Sequence, residues 1–390
     1  MPSIATTCLR PALLAALLAG APVAAQADSA ALVTVLGRDT LALERWVRTP
    51  ERVTAEAVVR SPRTTLRRYT LDLASDGRMR RFEEHTFDPA NTAAPLRTDV
   101  YEAAEGGWTR TLSQGDSVAT TRVEAPAEAL PWVDLVHWPF ELVLMRARGG
   151  QGGAAPLLAG GRPLVYTVAP AAGGGWTLTH PLRGPSVARV DAQGRLLSLD
   201  AGGTTRKVIV TRAPWIEIDE PAARWAQADR EGRGMGELSG RGREETTVAG
   251  AHILVDYGQP QRRGRDIFPG VVRWGQLWRT GANRATHFST NRLLVLGDPA
   301  TGTIDVPAGE YTLFSVPEAD GGWLIVNRQT GQNGTAYDSA QDLGRVRMRR
   351  TTVAVPVEVF TIRAEPVCGD AGLLRLSWDT SEFTVPFRVR

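Results

Sequence analysis

The sequence predicts a mostly β protein of two domains: an antiparallel curved sheet with a short helical insert, followed by an antiparallel β-sandwich. Three observations carry this expectation. Short apolar runs with period-two alternation recur along most of the chain. Turn residues punctuate them, with 40 Gly and 25 Pro in 390 residues. A Gly- and charge-rich stretch at 231–247 separates two halves, each long enough to bury its own core.

The first 27 residues have the grammar of a secretory signal. Arg10 supplies a positive start, Leu13–Leu18 an apolar centre, and Val23-Ala24-Ala25 or Ala25-Gln26-Ala27 a small-residue cleavage site. The apolar run is shorter than the ~20 residues needed to span a bilayer. Cys8 precedes that run, so no Cys stands at the cleavage point to carry lipid. The expected product is soluble and periplasmic or secreted, with Cys368 left as a single thiol, an inert loop residue or, as the alternative, a reactive one, and no internal disulfide. The chain carries 45 Lys+Arg against 42 Asp+Glu. It is nearly neutral once the leader is set aside, so its pI of about 9.1 is no nucleic-acid footprint. Nearly every basic residue is arginine, Lys207 being an exception.

Residues 28–218 read as an antiparallel β-meander. Val33–Leu36 and Thr40–Val47 flank a Gly37-Arg38-Asp39 turn, with a helix over 31–47 as the rival reading. Val53, Ala55, Ala57 and Val59 alternate on one face of the next strand, and turns recur at Ser75-Asp76-Gly77, Gly106-Gly107, Gln114-Gly115-Asp116, Gly173–Gly175 and Asp191–Gly194. The segment Pro131–Met145 is apolar and longer than a strand, and predicts one or two helices near 129–148, interrupted at Pro139. A sheet wrapped around a helical plug is similar in architecture to periplasmic lipoprotein carriers of the LolA type, which implies apolar-ligand binding. The plainer alternative is a helix that caps the core.

Residues 219–247 predict a helix over Asp219–Arg230, with acidic residues and Pro221 in its first turn, and then a flexible linker. The GxGxG spacing in that linker follows no strand and has no dinucleotide meaning. Residues 248–390 read as many short strands joined by Gly/Pro turns, which favours the β-sandwich.

Within this second half, Asp256-Tyr-Gly-Gln-Pro260, Gly264-Arg-Asp-Ile-Phe268, Val272-Arg-Trp-Gly275, Trp278-Arg-Thr-Gly-Ala-Asn283 and Pro307-Ala-Gly-Glu-Tyr-Thr-Leu-Phe314 occur in order. This series resembles the exported bacterial domain of unknown function 2911 family over about 140 residues. The resemblance implies an exported β-sandwich and no reaction. Arg284 stands where members often have Glu or Ala.

The candidate ligand site is therefore Arg265, Trp274, Trp278, Arg279, Asn283 and His287. Arg279 offers a planar fork for carboxylate or phosphate. The tryptophans offer flat faces, and Asn283 a donor and an acceptor. The competing structural reading puts Gly281 in a turn, Trp278 in the core and Arg279 on a nearby carboxylate such as Asp256.

His85, His137, His180, His252 and His287 lack ligand spacing, so neither a metal nor another cofactor is expected. Glu83-Glu84 points to opposite faces of a strand, no GxSxG elbow exists, and the Asn333-Gly334-Thr335 sequon reads as a turn. The leading functional expectation is non-catalytic binding of a small apolar or saccharide ligand or an envelope protein partner. The alternatives are a hydrolase-like enzyme using Arg279, Asn283 and His287, or a scaffold that joins partners through exposed edge strands. No nucleic-acid partner and no transmembrane segment are expected.

Overall fold

Period-two burial runs through almost every strand of the computed structural model, which describes residues 28–150 and 152–390. The expected signal segment and Cys8 lie outside the described residues. Two sheets account for the described strands, one of fifteen and one of nine.

The fifteen-stranded sheet is built by hairpins. From Asp28–Leu36 the chain steps outward to Ser117–Val123, a polar, exposed edge strand. After a crossing segment it steps back from Leu130–Pro131 to Ile209–Ala213, which pairs antiparallel with Asp28–Leu36. All these pairings are antiparallel except the short one between Leu130–Pro131 and Leu157–Leu158. The arms then curl towards each other, and Gly161 N–H donates to the Tyr101 hydroxyl at 2.8 Å. Val53, Ala55, Ala57 and Val59 all face the interior, as their alternation predicts. Strands, not the rival helix, occupy 31–47, because the two faces pack into different cores: Leu32, Leu36 and Trp46 face the concavity, and Val33 and Leu43 face the side that the helix Asp219–Arg230 covers.

Helix α1 (Trp138–Arg148) fills the concavity. The expected helix or helix pair interrupted at Pro139 is corrected: a single helix begins at Trp138, and Pro139 sits in its first turn. Proline costs nothing there, since the first amides of a helix have no intrahelical acceptor. Residues 132–137 instead form a loop, with Leu135 at φ 65°. Trp138 packs between Tyr69 and Phe82, with ring centroids 5.9 and 6.5 Å away. The remaining interior cavity beside Trp132, Tyr166 and His180 is about 50 Å³, room for a few waters. The concavity is thus core, and the carrier-like expectation holds only as far as a curved sheet around a helix.

Helix α2 (Asp219–Arg230) forms where expected and lays Ala222 and Trp225 on the convex face of the sheet, against Val58, Leu66 and Phe87. The expected linker is partly wrong. Ser239–Val248 is a strand, paired along its length with Ala251–Pro260. Gly242 is structural there: a Cβ on it would lie 2.5 Å from the Tyr257 ring. Glycine-rich composition reads as flexible only until a partner strand fills the space that the missing side chains leave.

The second sheet accordingly begins at Ser239. It folds over on itself through two long, bent strands, Asp342–Cys368 and Ala371–Val389. The bend is visible in the alternation. Leu374, Leu376 and Trp378 are buried, then Asp379 takes φ 53° and burial resumes at Ser381, Phe383 and Val385. One extra residue there switches the faces. The fold-over brings Ile362 N–H to the Tyr257 hydroxyl at 2.9 Å and encloses the second core. Cys368 is exposed beside the turn that joins the two long strands. Among the described residues no helix is long and apolar enough to cross a membrane.

Candidate functional site

The domains meet at a latch. The hairpin turn at Gly37–Arg38 sits on the loop at 262–264, where Arg38 N–H donates to Arg263 C=O at 3.0 Å. Gly37 permits this approach, since a Cβ there would overlap that carbonyl. The Arg263 side chain, 4 % exposed, pairs with Asp39 across the boundary at 2.8 Å. A buried, hydrogen-bonded ion pair of this kind sets the relative placement of the two domains.

Beside the latch lies a cleft of about 590 Å³ lined by both domains. That volume is in the range of small-molecule sites. Five cations line it, Arg183, Arg206, Lys207, Arg265 and Arg279, against two carboxylates, Asp134 and Glu237. Asp134 is already engaged by Arg183 at 2.9 Å and by Arg206. Leu135, Leu277, Trp278, Phe314 and Trp378 supply the apolar wall.

The segment 278–283 is held rigidly. Trp278 exchanges two backbone hydrogen bonds with Ser315, at 2.7 and 2.9 Å. The Thr280 hydroxyl donates to Ser315 Oγ at 2.9 Å, and the Thr286 hydroxyl to Thr280 C=O at 2.7 Å. Thr280, Gly281 and Asn283 all have positive φ, so the loop turns tightly against Gly258. The Arg279 stem crosses Gly334, where a Cβ would lie 2.8 Å from Arg279 Cδ.

Arg279 is half-buried, and among the described residues its guanidinium has no hydrogen-bonded or ion-paired acceptor. Burial alone lowers its pKa from the ordinary value, and no carboxylate opposes that shift. Asp256, the suggested partner, is taken by Arg241. Arg265 spends its fork on the carbonyls of Arg262 and Gln261. Its pKa too is lowered, chiefly by burial and then by Arg263. Lys207 is pushed down by burial, then by Arg273, Arg265 and Arg279, with Asp200 acting weakly the other way. On the far wall the Tyr337 hydroxyl donates to Asp342 at 2.7 Å, and burial followed by that bond pushes its pKa up to about 12.

Of the sequence-derived residues, Arg265, Trp278, Arg279 and Asn283 line the cleft. Trp278 has both roles weighed for it: it borders the cleft and stacks on Trp378 at 5.9 Å at the edge of the core. Trp274 is elsewhere, stacked on Phe268 at 5.1 Å beneath the Arg350 guanidinium. His287 is also outside the cleft; it pairs across strands with Asp256 and Thr312. Strand alternation explains this, since Thr286 points inward and its neighbour must point away. The enzyme alternative therefore loses the base it required, and no histidine lines the cleft. Among the described residues no cluster of three or more His, Cys, Asp or Glu side chains could hold a metal.

Sequence reading missed the N-terminal contribution, namely Asp134, Arg183, Arg206 and Lys207. These residues are scattered over 73 positions in loops, and only the packing of the two domains unites them. One signal was present: Lys207 is the single lysine in the sequence.

No curated protein matches the chain. Among solved structures it is similar to the crystal structure of a beta-barrel-like protein of domain of unknown function DUF1849 from Brucella abortus. That match has 12 % identity, covers 48 % of this chain and 94 % of the other, and has a TM-score of 0.31. Residues 239–387 match the family described as Protein of unknown function (DUF2911), and the C-terminal domain, with its Trp278–Asn283 loop, is a domain of that family.

Proposed function

We propose that this chain is an exported binding protein for a small anionic ligand seated in the interdomain cleft. The observation that carries this reading is the imbalance of charge there, with Arg279 lacking any acceptor among the described residues. A half-buried guanidinium without a partner is costly, and an anion supplies the missing bidentate acceptor. The apolar wall at Leu135, Leu277 and Trp278 suits an aliphatic or ring portion of the same ligand. A neutral apolar ligand leaves the net positive charge of the cleft and the unpaired Arg279 unexplained. An acidic saccharide falls within the proposed class. The signal-like first 27 residues support a place outside the cytoplasm.

The test is thermal unfolding with inorganic phosphate and a panel of mono- and dicarboxylates, each against sodium chloride of equal ionic strength. At about 100 times Kd a bound anion adds about 2.7 kcal/mol of stability. Arg279→Gln should weaken binding by tenfold or more, about 1.5 kcal/mol or more for one charged hydrogen-bond donor. An absence of any anion-specific rise in Tm removes the proposal.

The pH dependence has a definite sign. Lys207 has a depressed pKa in the folded chain, so between that value and the ordinary 10.5 the unfolded chain binds more protons. Its repulsion therefore destabilises the fold most at pH below the folded pKa, and stability rises with pH through this window. An anion restores the proton. Anion affinity should thus rise as pH falls through the free-site pKa of Lys207, with net proton uptake on binding measurable by calorimetry in buffers of different ionisation enthalpy.

A further inference from the structure

We propose that Lys207 is a carbonyl-capturing amine, condensing with the keto or aldehyde group of a small carboxylate, such as a 2-keto acid, held in the cleft. This rests on the anion-binding reading above and names the ligand class more narrowly. Every other one of the 45 basic residues is arginine. Arginine supplies charge but does not deprotonate in proteins, whereas lysine can present a neutral nucleophile. The one place where the chain uses lysine is the wall of this cleft.

The local build is deliberate. Lys207 has φ 59°, a left-handed conformation uncommon for a residue with a long side chain. Its loop is tied at both ends, with Ala201 N–H donating to Val208 C=O at 2.9 Å. The Thr204 hydroxyl oxygen accepts from Arg206 N–H at 3.0 Å within the same turn. Lys207 Nζ donates to the Gly202 carbonyl at 2.8 Å, and among the described residues no carboxylate pairs with it. Arg265 and Arg279 line the same cleft, and burial followed by the charges of Arg273, Arg265 and Arg279 disfavours the protonated amine, with Asp200 opposing them. A half-buried amine that shares its cleft with guanidiniums is favoured as the neutral base, the usual route to a Schiff-base lysine. The same guanidiniums hold the carboxylate of the incoming keto acid.

The chemistry balances without a further reagent. The Nζ lone pair attacks the carbonyl carbon and a C–N bond forms. The carbonyl oxygen takes up two protons and leaves as water, and the carbon–nitrogen double bond remains. No oxidation or reduction is involved until a trapping hydride is added.

The experiment treats the full-length protein with glyoxylate or pyruvate and sodium cyanoborohydride at pH 7, followed by mass mapping of the adduct. With a single lysine, the chain terminus is the only other primary amine. The same reaction on the urea-unfolded chain gives the intrinsic rate of that lysine. A lowered pKa raises the neutral fraction at a given pH, so native labelling at Lys207 should be faster than unfolded labelling. Lys207→Arg should abolish the adduct. Native labelling no faster than unfolded labelling, with phosphate still stabilising the protein, overturns the amine proposal and leaves anion binding standing. Loss of both responses overturns the two together.

Discussion

Glu44→Ala should destabilise the N-terminal domain by about 3–5 kcal/mol, the range for breaking a buried charged network. Glu44 is fully buried. One of its carboxylate oxygens accepts the backbone N–H of His137 at 2.7 Å and of Trp138 at 3.0 Å. These amides open α1, whose own N-terminal residue offers no side-chain cap. The other oxygen lies 3.3 Å from His137 Nδ1, which also meets the Thr34 hydroxyl at 3.1 Å. A strand residue 93 positions away thus caps the helix that fills the barrel-like concavity. Negative charge at a helix N-terminus is favourable, and here the carboxylate is fully buried. Alanine leaves two buried amides without acceptors. Glutamine keeps an acceptor oxygen but not the charge, and should fall between the two. Urea unfolding and hydrogen exchange at the Trp138 amide measure the effect. A midpoint within error of the parent would show that the cap contributes nothing.

Gly258→Ala should cost more than about 3 kcal/mol, in the class of overpacking against fixed backbone, and should abolish anion-dependent stabilisation as well. A Cβ at position 258 would overlap the Ala282 carbonyl oxygen and lie 2.7 Å from the carbonyl carbon. Backbone cannot rotate away as a side chain can. The loop 278–283 must lift, and Trp278 and Arg279 move with it. Gly240→Ala is the matched control, because nothing lies within 4 Å of its added Cβ. Equal stability of the two variants would refute the close packing on which the Arg279 geometry depends.

Much of the fold was readable because its information is local. Alternation at 53–59 assigned the inward face correctly, and Gly or Asp turns marked the hairpins. Helix α2 was announced by its acidic first turn and Pro221. Failures arose where a distant partner changes the meaning of a local pattern. Gly240 and Gly242 looked like linker, yet they lie beside Tyr257 and Gln259 in a paired strand. Pro139 looked like an interruption, yet it occupies a first turn that Glu44 caps from another strand.

The candidate site divides the same way. Trp278–Asn283 stood out as a contiguous motif, and four of the six nominated residues border the cleft. His287 lies close to that motif in sequence, but strand pleating sends it away from the cleft.

Local chemistry therefore decided which segments are strands, where most turns fall, and that residues 256–314 hold a recognisable motif. Docking of the two domains decided that a cleft exists, that Arg279 faces it without an acceptor among the described residues, and that the lone Lys207 lines the same cleft. The reason is physical. Alternation and turn propensity act over a few residues, whereas desolvation and charge interactions depend on groups brought together from 49 to 224 positions apart. The latch between Asp39 and Arg263 spans 224 positions, and it holds the two walls in place.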